Sequence, residues 1–104
     1  MKFEIKDKGA VIGICSFDRA DPPMGFVSGT LIPTHAYNSL FSYSDLDVFA
    51  FGSDERVSCE SVTLEDFSKE MGELCIEVTA LLSDSDEFDK YFSHHRDNYN
   101  SQFM

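Results

Sequence analysis

Cations are scarce in this sequence: eight lysines and arginines stand against nineteen carboxylates in 104 residues, a net charge of −11. So few basic residues, scattered along the chain, cannot neutralise a run of phosphates, which argues against direct nucleic-acid binding. Cysteine is also sparse. Cys15, Cys59 and Cys75 are odd in number, lie far apart and form no C-x-x-C pair, so neither a zinc site nor a redox couple is expected, only free thiols in a reducing compartment. The longest apolar run, AVIGIC (Ala10 to Cys15), falls far short of the roughly 20 residues that span a bilayer. Glu4 and Asp7 stand where a secretory leader needs basic residues, and the expectation is a cytoplasmic chain with no membrane partner. No glycine-rich phosphate loop occurs; the six glycines sit at turns and strand ends.

Apolar residues make up 42% of the chain and aromatics 13%, enough for a core of its own in one domain spanning residues 1–104. Charge is distributed unevenly over that domain. Residues 1–44 carry Glu4, Asp7, Asp18 and Asp21 against Lys2, Lys6, Lys8 and Arg19, and balance. Residues 45–89 carry fourteen acids against Arg56 and Lys69, a net of −12, and residues 90–104 return +1. Such asymmetry repels itself and creates a field that attracts basic surfaces.

Hydrophobic periodicity outlines the elements. KFEIK alternates through Phe3 and Ile5, GAVIGICSF is an apolar run of strand length, and GFVSGTLI (Gly25 to Ile32) reads as a third strand after the turn DRADPPMG, together suggesting a meander. THAYNSLFSY offers a short helix capped by Thr34, with Tyr37, Leu40 and Phe41 facing inward. DVFAF is a short strand closed by the turn GSDE, and RVSCESVTL a further one. Thr63 and Asp66 have capping-box spacing ahead of a helix through Leu64, Phe67 and Met71, ended by Gly72. ELCIEVTALL is the clearest strand, with Leu74, Ile76, Val78, Ala80 and Leu82 on one face and Glu73, Cys75, Glu77 and Thr79 on the other, as in an antiparallel sheet covered on one side. From Asp84 to about Tyr99 an amphipathic helix puts Phe88, Tyr91, Phe92, His95 and Tyr99 on one stripe. The expected fold is α+β, a mostly antiparallel sheet of five or six strands on two or three helices.

Several of the same positions offer candidate chemistry. In DSDEFDKYFSHH, Asp84 and Asp86 match the first ligands of a calcium loop, but Phe88, Asp89 and His95 occupy positions 5, 6 and 12, where an oxygen ligand, a glycine and a glutamate belong. His94 and His95, adjacent on a helix, point about 100° apart and cannot easily grip one metal ion. GFVSG places Ser28 one position late for a nucleophile elbow, and Cys15 lies in an apolar run that suppresses thiolate chemistry. With His35 unplaced, no catalytic residue, metal or cofactor is assigned and no enzyme activity is expected.

What remains is an acidic protein-binding surface. Asp84, Asp86 and Glu87 suit a helix start, where the macrodipole favours each by about 0.3–1 kcal/mol. Helix capping does not explain Asp45, Asp47, Asp54, Glu55 or the other acids spread over separate elements. The candidate contact residues are therefore Asp84, Asp86, Glu87, Asp89, Asp45, Asp47, Asp54 and Glu55. In this general character, and in the stretch PPMGFVSGTLIPTHAY (Pro22 to Tyr37) with its strand and following turn, the chain resembles small acidic bacterial immunity proteins of toxin systems, including contact-dependent growth inhibition. The resemblance implies a cytoplasmic protein that binds a basic cognate toxin domain, such as a nuclease, and blocks its active site. A nucleic-acid mimic that inhibits another protein is the same physics with a different partner; a structural or adaptor subunit using exposed Phe49, Phe51 or Phe103 is the alternative.

Overall fold

The computed structural model describes residues 1–40 and 43–101. Phe41 and Phe103 lie outside the described residues. The first elements are β1 (Phe3–Asp7), β2 (Ala10–Cys15), β3 (Arg19–Asp21), a 3-10 turn (Pro22–Met24), β4 (Phe26–Thr30) and β5 (Ile32–Pro33). β6 (Leu46–Ala50), β7 (Arg56–Val57), β8 (Cys59–Asp66), α1 (Ser68–Met71), β9 (Ile76–Leu82) and α2 (Ser85–Ser101) follow. The α+β class holds, but in place of one sheet there are two antiparallel ones, ordered β5-β2-β1-β6-β7 and β3-β4-β9-β8. Among the described residues, one long helix and a single α-helical turn stand where two or three helices were expected.

Alternation explains which faces meet. Phe3 and Ile5 on β1, Ile12 and Cys15 on β2 and Leu46 and Val48 on β6 are buried, as are Val27 on β4 and Ile76, Val78, Ala80 and Leu82 on β9. Both sets belong to one core, completed by Phe88, Tyr91 and Phe92 of α2. Phe92 is the hub of that helix face, with ring centroids 5.2 Å from Phe3, 5.9 Å from Phe17 and 5.8 Å from Phe88. The backbone leaves helical geometry at this residue (φ −129°, ψ 24°). His95 continues the stripe, its Nε2 lying 2.7 Å from the Phe17 carbonyl oxygen, while His94 is exposed.

The chain changes sheets twice within stretches that read as single strands. After β4, fully buried Leu31 donates its N–H to the Ile76 carbonyl (2.8 Å), and Ile32–Pro33 then pairs with Gly13–Ile14 in the other sheet. Pro33 ends an edge strand, where a missing donor costs no ladder bond. The expected meander accordingly breaks, since β4 pairs with β3 and β9, not with β2. RVSCESVTL divides the same way: Arg56–Val57 belongs to the first sheet and Cys59–Asp66 to the second, with Ser58 between them.

Two expected helices are overruled by tertiary pairing. Thr34 donates its hydroxyl to the Val11 carbonyl (2.6 Å) and accepts the Ala36 N–H (3.2 Å), closing a turn, and no helix forms among residues 34–40. Tyr37 does turn inward, stacked 5.7 Å from Tyr43, but Leu40 is 92% exposed. Thr63 and Asp66 lie in β8, paired with Thr79 and Ile76, so the helix begins only at Ser68 and lasts one turn, ended as expected by Gly72 at φ 70°. Leu74, expected inside, precedes β9 and is exposed.

Candidate interaction site

The crossover at Ser58 organises the acidic side of the molecule. Ser58 N–H donates to Glu87 Oε2 at 2.6 Å, and its carbonyl accepts the Ser83 N–H at 3.0 Å, so the first turn of α2 is tied to the point where the sheets diverge. A charge-assisted bond this short stabilises by about 1 kcal/mol in such an exposed setting. Just before the crossover, Glu55 Oε2 accepts the Tyr91 hydroxyl at 2.6 Å, and Lys90 Nζ approaches Oε1 to 4.0 Å. Asp47 pairs with Arg56 at 3.1 Å.

Beside the crossover opens a cleft of about 260 Å³, lined by Asp45, Leu46, Asp47 and Arg56 from the first sheet's side and by Glu60 and Val62 of β8. Its acids outnumber its one arginine three to one. The Cys59 thiol on its wall feels this: burial foremost, then the Glu87 carboxylate, push its pKa up to about 11, against a smaller downward pull from Arg56. Asp45 and Glu60 have no hydrogen bond or ion pair among the described residues, so their charge is available to solvent or a partner.

The structure therefore divides the eight sequence candidates. Asp45, Asp47, Glu55 and Glu87 gather at or beside the crossover. Asp84 is exposed but caps α2, its Oδ1 accepting the Glu87 N–H at 2.8 Å. Asp89 is held by Arg96 at 2.7 Å, with the guanidinium 5.0 Å from the centre of the Phe88 ring. Asp86 and Asp54 are exposed and unpaired among the described residues. Missed by sequence reading were Glu60, the unpaired residue of an irregularity in β8 that lines the cleft, and the roles of Ser58 and Tyr91 in holding Glu87 and Glu55. Ser58 between two short apolar alternations was the only available signal.

Elsewhere, the outer face of the first sheet carries an apolar hollow of about 450 Å³ lined by Ile14, Ile32 and Phe51 with Lys2 and Asp18 at its rim. Phe51 is 56% and Ile32 66% exposed, whereas Phe49 is half-buried with Lys6 Nζ 4.1 Å above its ring. Among the described residues no hydrogen bond joins His35, Ser28 or a cysteine side chain into a catalytic arrangement, and no group of three or more His, Cys, Asp or Glu could hold a metal ion. Burial raises the Cys15 thiol to about 11. No described helix is long and apolar enough to cross a membrane. Comparison with protein-family models, with curated proteins and with solved structures finds no match to this chain.

Proposed function

We propose that this chain inhibits a basic protein by covering it with its acidic side, in the manner of an immunity protein that neutralises a cationic toxin domain of nuclease type. The observation that carries this reading is the excess of carboxylates over cations around the Ser58 crossover, where Asp45 and Glu60 have no internal partner among the described residues, within a segment of net charge −12 between residues 45 and 89. A field of that sign steers a cationic surface to rapid capture and opposes anionic competitors. The reading assigns the chain no chemistry of its own, and it applies equally to a mimic that occupies a nucleic-acid groove on its target. The test is recovery of a basic protein from the source organism at low salt, followed by calorimetry and an activity assay of the recovered protein. One-to-one binding that weakens as salt rises, with loss of the partner's activity, supports the proposal; recovery of no basic protein sinks it.

A second reading is favoured by one observation, the apolar hollow at Ile14, Ile32 and Phe51, which suits an adaptor subunit. It predicts salt-insensitive binding that is lost in Phe51→Asp and kept in Asp45→Lys.

A further inference from the structure

The cleft is bounded by strand edges as well as acids, and the hydrogen-bond register identifies which backbone groups are open. Leu31 N–H bonds the Ile76 carbonyl and Leu82 N–H bonds the Gly25 carbonyl, so even-numbered residues of β9 direct their backbone groups to β4 and odd-numbered ones to β8. Through the pairs Ser61 with Leu81, Thr63 with Thr79 and Glu65 with Glu77, the odd residues of β8 engage β9. Val62 and Leu64 therefore turn their N–H and C=O groups outward, and neither has a partner for them among the described residues. Across the cleft the same holds for Leu46. Ala50 N–H bonds the Glu55 carbonyl and Val48 stands opposite Val57, so continuing the ladder would set Leu46 opposite Cys59, but Cys59 has left for the other sheet.

Unpaired edge groups of this kind accept an added strand, and natural edges that must stay single carry charges that repel one. Here the flanking charges are all but one negative: Asp45, Asp47 and Glu60 against Arg56. That edge repels another copy of itself and admits a cationic chain. We infer that the partner binds through an extended, lysine- or arginine-bearing segment that adds to β8 as a further strand. Its main chain takes the free groups of Val62 and Leu64, and its cations meet Asp45 and Glu60. This rests on the reading of the chain as a binder of basic protein and specifies how that binding is made.

The probe is a capped hexapeptide of alternating lysine and valine, titrated into the 15N-labelled protein and followed by amide shifts and hydrogen exchange. Expected are shifts centred on Glu60 to Leu64 and on Leu46, with slower exchange at Val62 and Leu64. The same peptide with every amide N-methylated keeps its charge but loses its donors, and should bind about tenfold more weakly. A glutamate–valine peptide should not bind, and Asp45→Lys with Glu60→Lys should abolish the response. Equal binding of the N-methylated peptide, shifts centred on Asp84 to Asp89, or no shift at β8 at millimolar peptide each overturns strand addition. If a basic protein is nonetheless recovered at low salt, the acidic-surface reading stands without it; if none is, both fall.

Discussion

Replacing Gly29 by alanine sets two effects of opposite sign against each other. In an extended strand, glycine to alanine ordinarily stabilises by about 0.4–1 kcal/mol, because the unfolded chain loses freedom. At Gly29 the new Cβ would stand 2.9 Å from the Phe17 backbone nitrogen, 2.9 Å from Cys15 Sγ and 3.1 Å from Phe17 Cα. Two of these neighbours are backbone, and that backbone is poorly able to yield: Phe17 sits at φ 47°, its ring is completely buried between Phe3 and Phe92, and its carbonyl lies against His95. Overpacking of this kind costs about 1–3 kcal/mol, more than the entropy gain. The net loss is then roughly 0.5–2 kcal/mol, and with a urea slope near 1 kcal/mol per molar for a chain of this size the unfolding midpoint should fall by about 0.5–2 M, with the slope unchanged. Adding Cys15→Ala removes one of the close contacts, so the double variant should lose less than the two singles together. A neutral or stabilising Gly29→Ala would refute the close approach of β4 to the Cys15–Phe17 segment.

Asp84→Ala should cost about 1 kcal/mol by urea denaturation through loss of the α2 cap, whereas Asp84→Asn, which keeps an acceptor, should stay within about 0.5 kcal/mol; equal losses would show that charge, not capping, is at work. Asp66 is held below its ordinary value of 3.8 by hydrogen bonds from Ser68 and then from the Tyr37 hydroxyl. A lowered folded-state pKa contributes stability that is fully present above the unfolded value and lost as pH falls through the folded one. In an NMR titration of Asp66, Tyr37→Phe should raise the midpoint partway toward 3.8 and Ser68→Ala should raise it further. Cys59, at about 11, should be alkylated at pH 8 on the order of a hundredfold more slowly than in the unfolded chain; a rate equal to the unfolded one would remove the buried, acid-flanked environment assigned to it.

How much of this was legible in the sequence depends on the range over which each residue's environment is decided. β6 and β9 were readable because one face of each is buried along its whole length and alternation reports it directly, β1 because Phe3 and Ile5 are both buried, and β2 because its apolar run marks a strand whose Ile12, Gly13 and Cys15 are buried. α2 was readable for the same reason, from Phe88, Tyr91 and Phe92. Leu31 and Ser58 were not, because a chain that passes from one sheet to the other keeps its local alternation and changes only its partners. Leu64, Phe67 and Met71 satisfied helical spacing while Val62 and Leu64 satisfied strand spacing, and β9 decided between them by claiming β8 as far as Asp66. Tyr37 likewise found its partner 29 positions away at Asp66, which no local pattern encodes. For the acidic site, the sequence located the charge along the chain, but only the crossover at Ser58 could say which carboxylates meet.

The same crossover bears on which acids can serve a partner. A carboxylate already accepting a short internal hydrogen bond must give it up, or share it, to meet a foreign cation. Glu87 holds Ser58, Glu55 holds Tyr91, Asp84 caps α2, and Asp89 and Asp47 have arginine partners. Reversing their charges would disturb the fold together with any interface, so a loss of binding there would have two causes. Asp45 and Glu60 are bound to nothing among the described residues, and their replacement by lysine changes the field of the cleft while leaving the backbone that frames it intact. A surface rich in acids thus divides into carboxylates that build the crossover and carboxylates that are free to act from it, and a partner's energetic dependence should follow the second group.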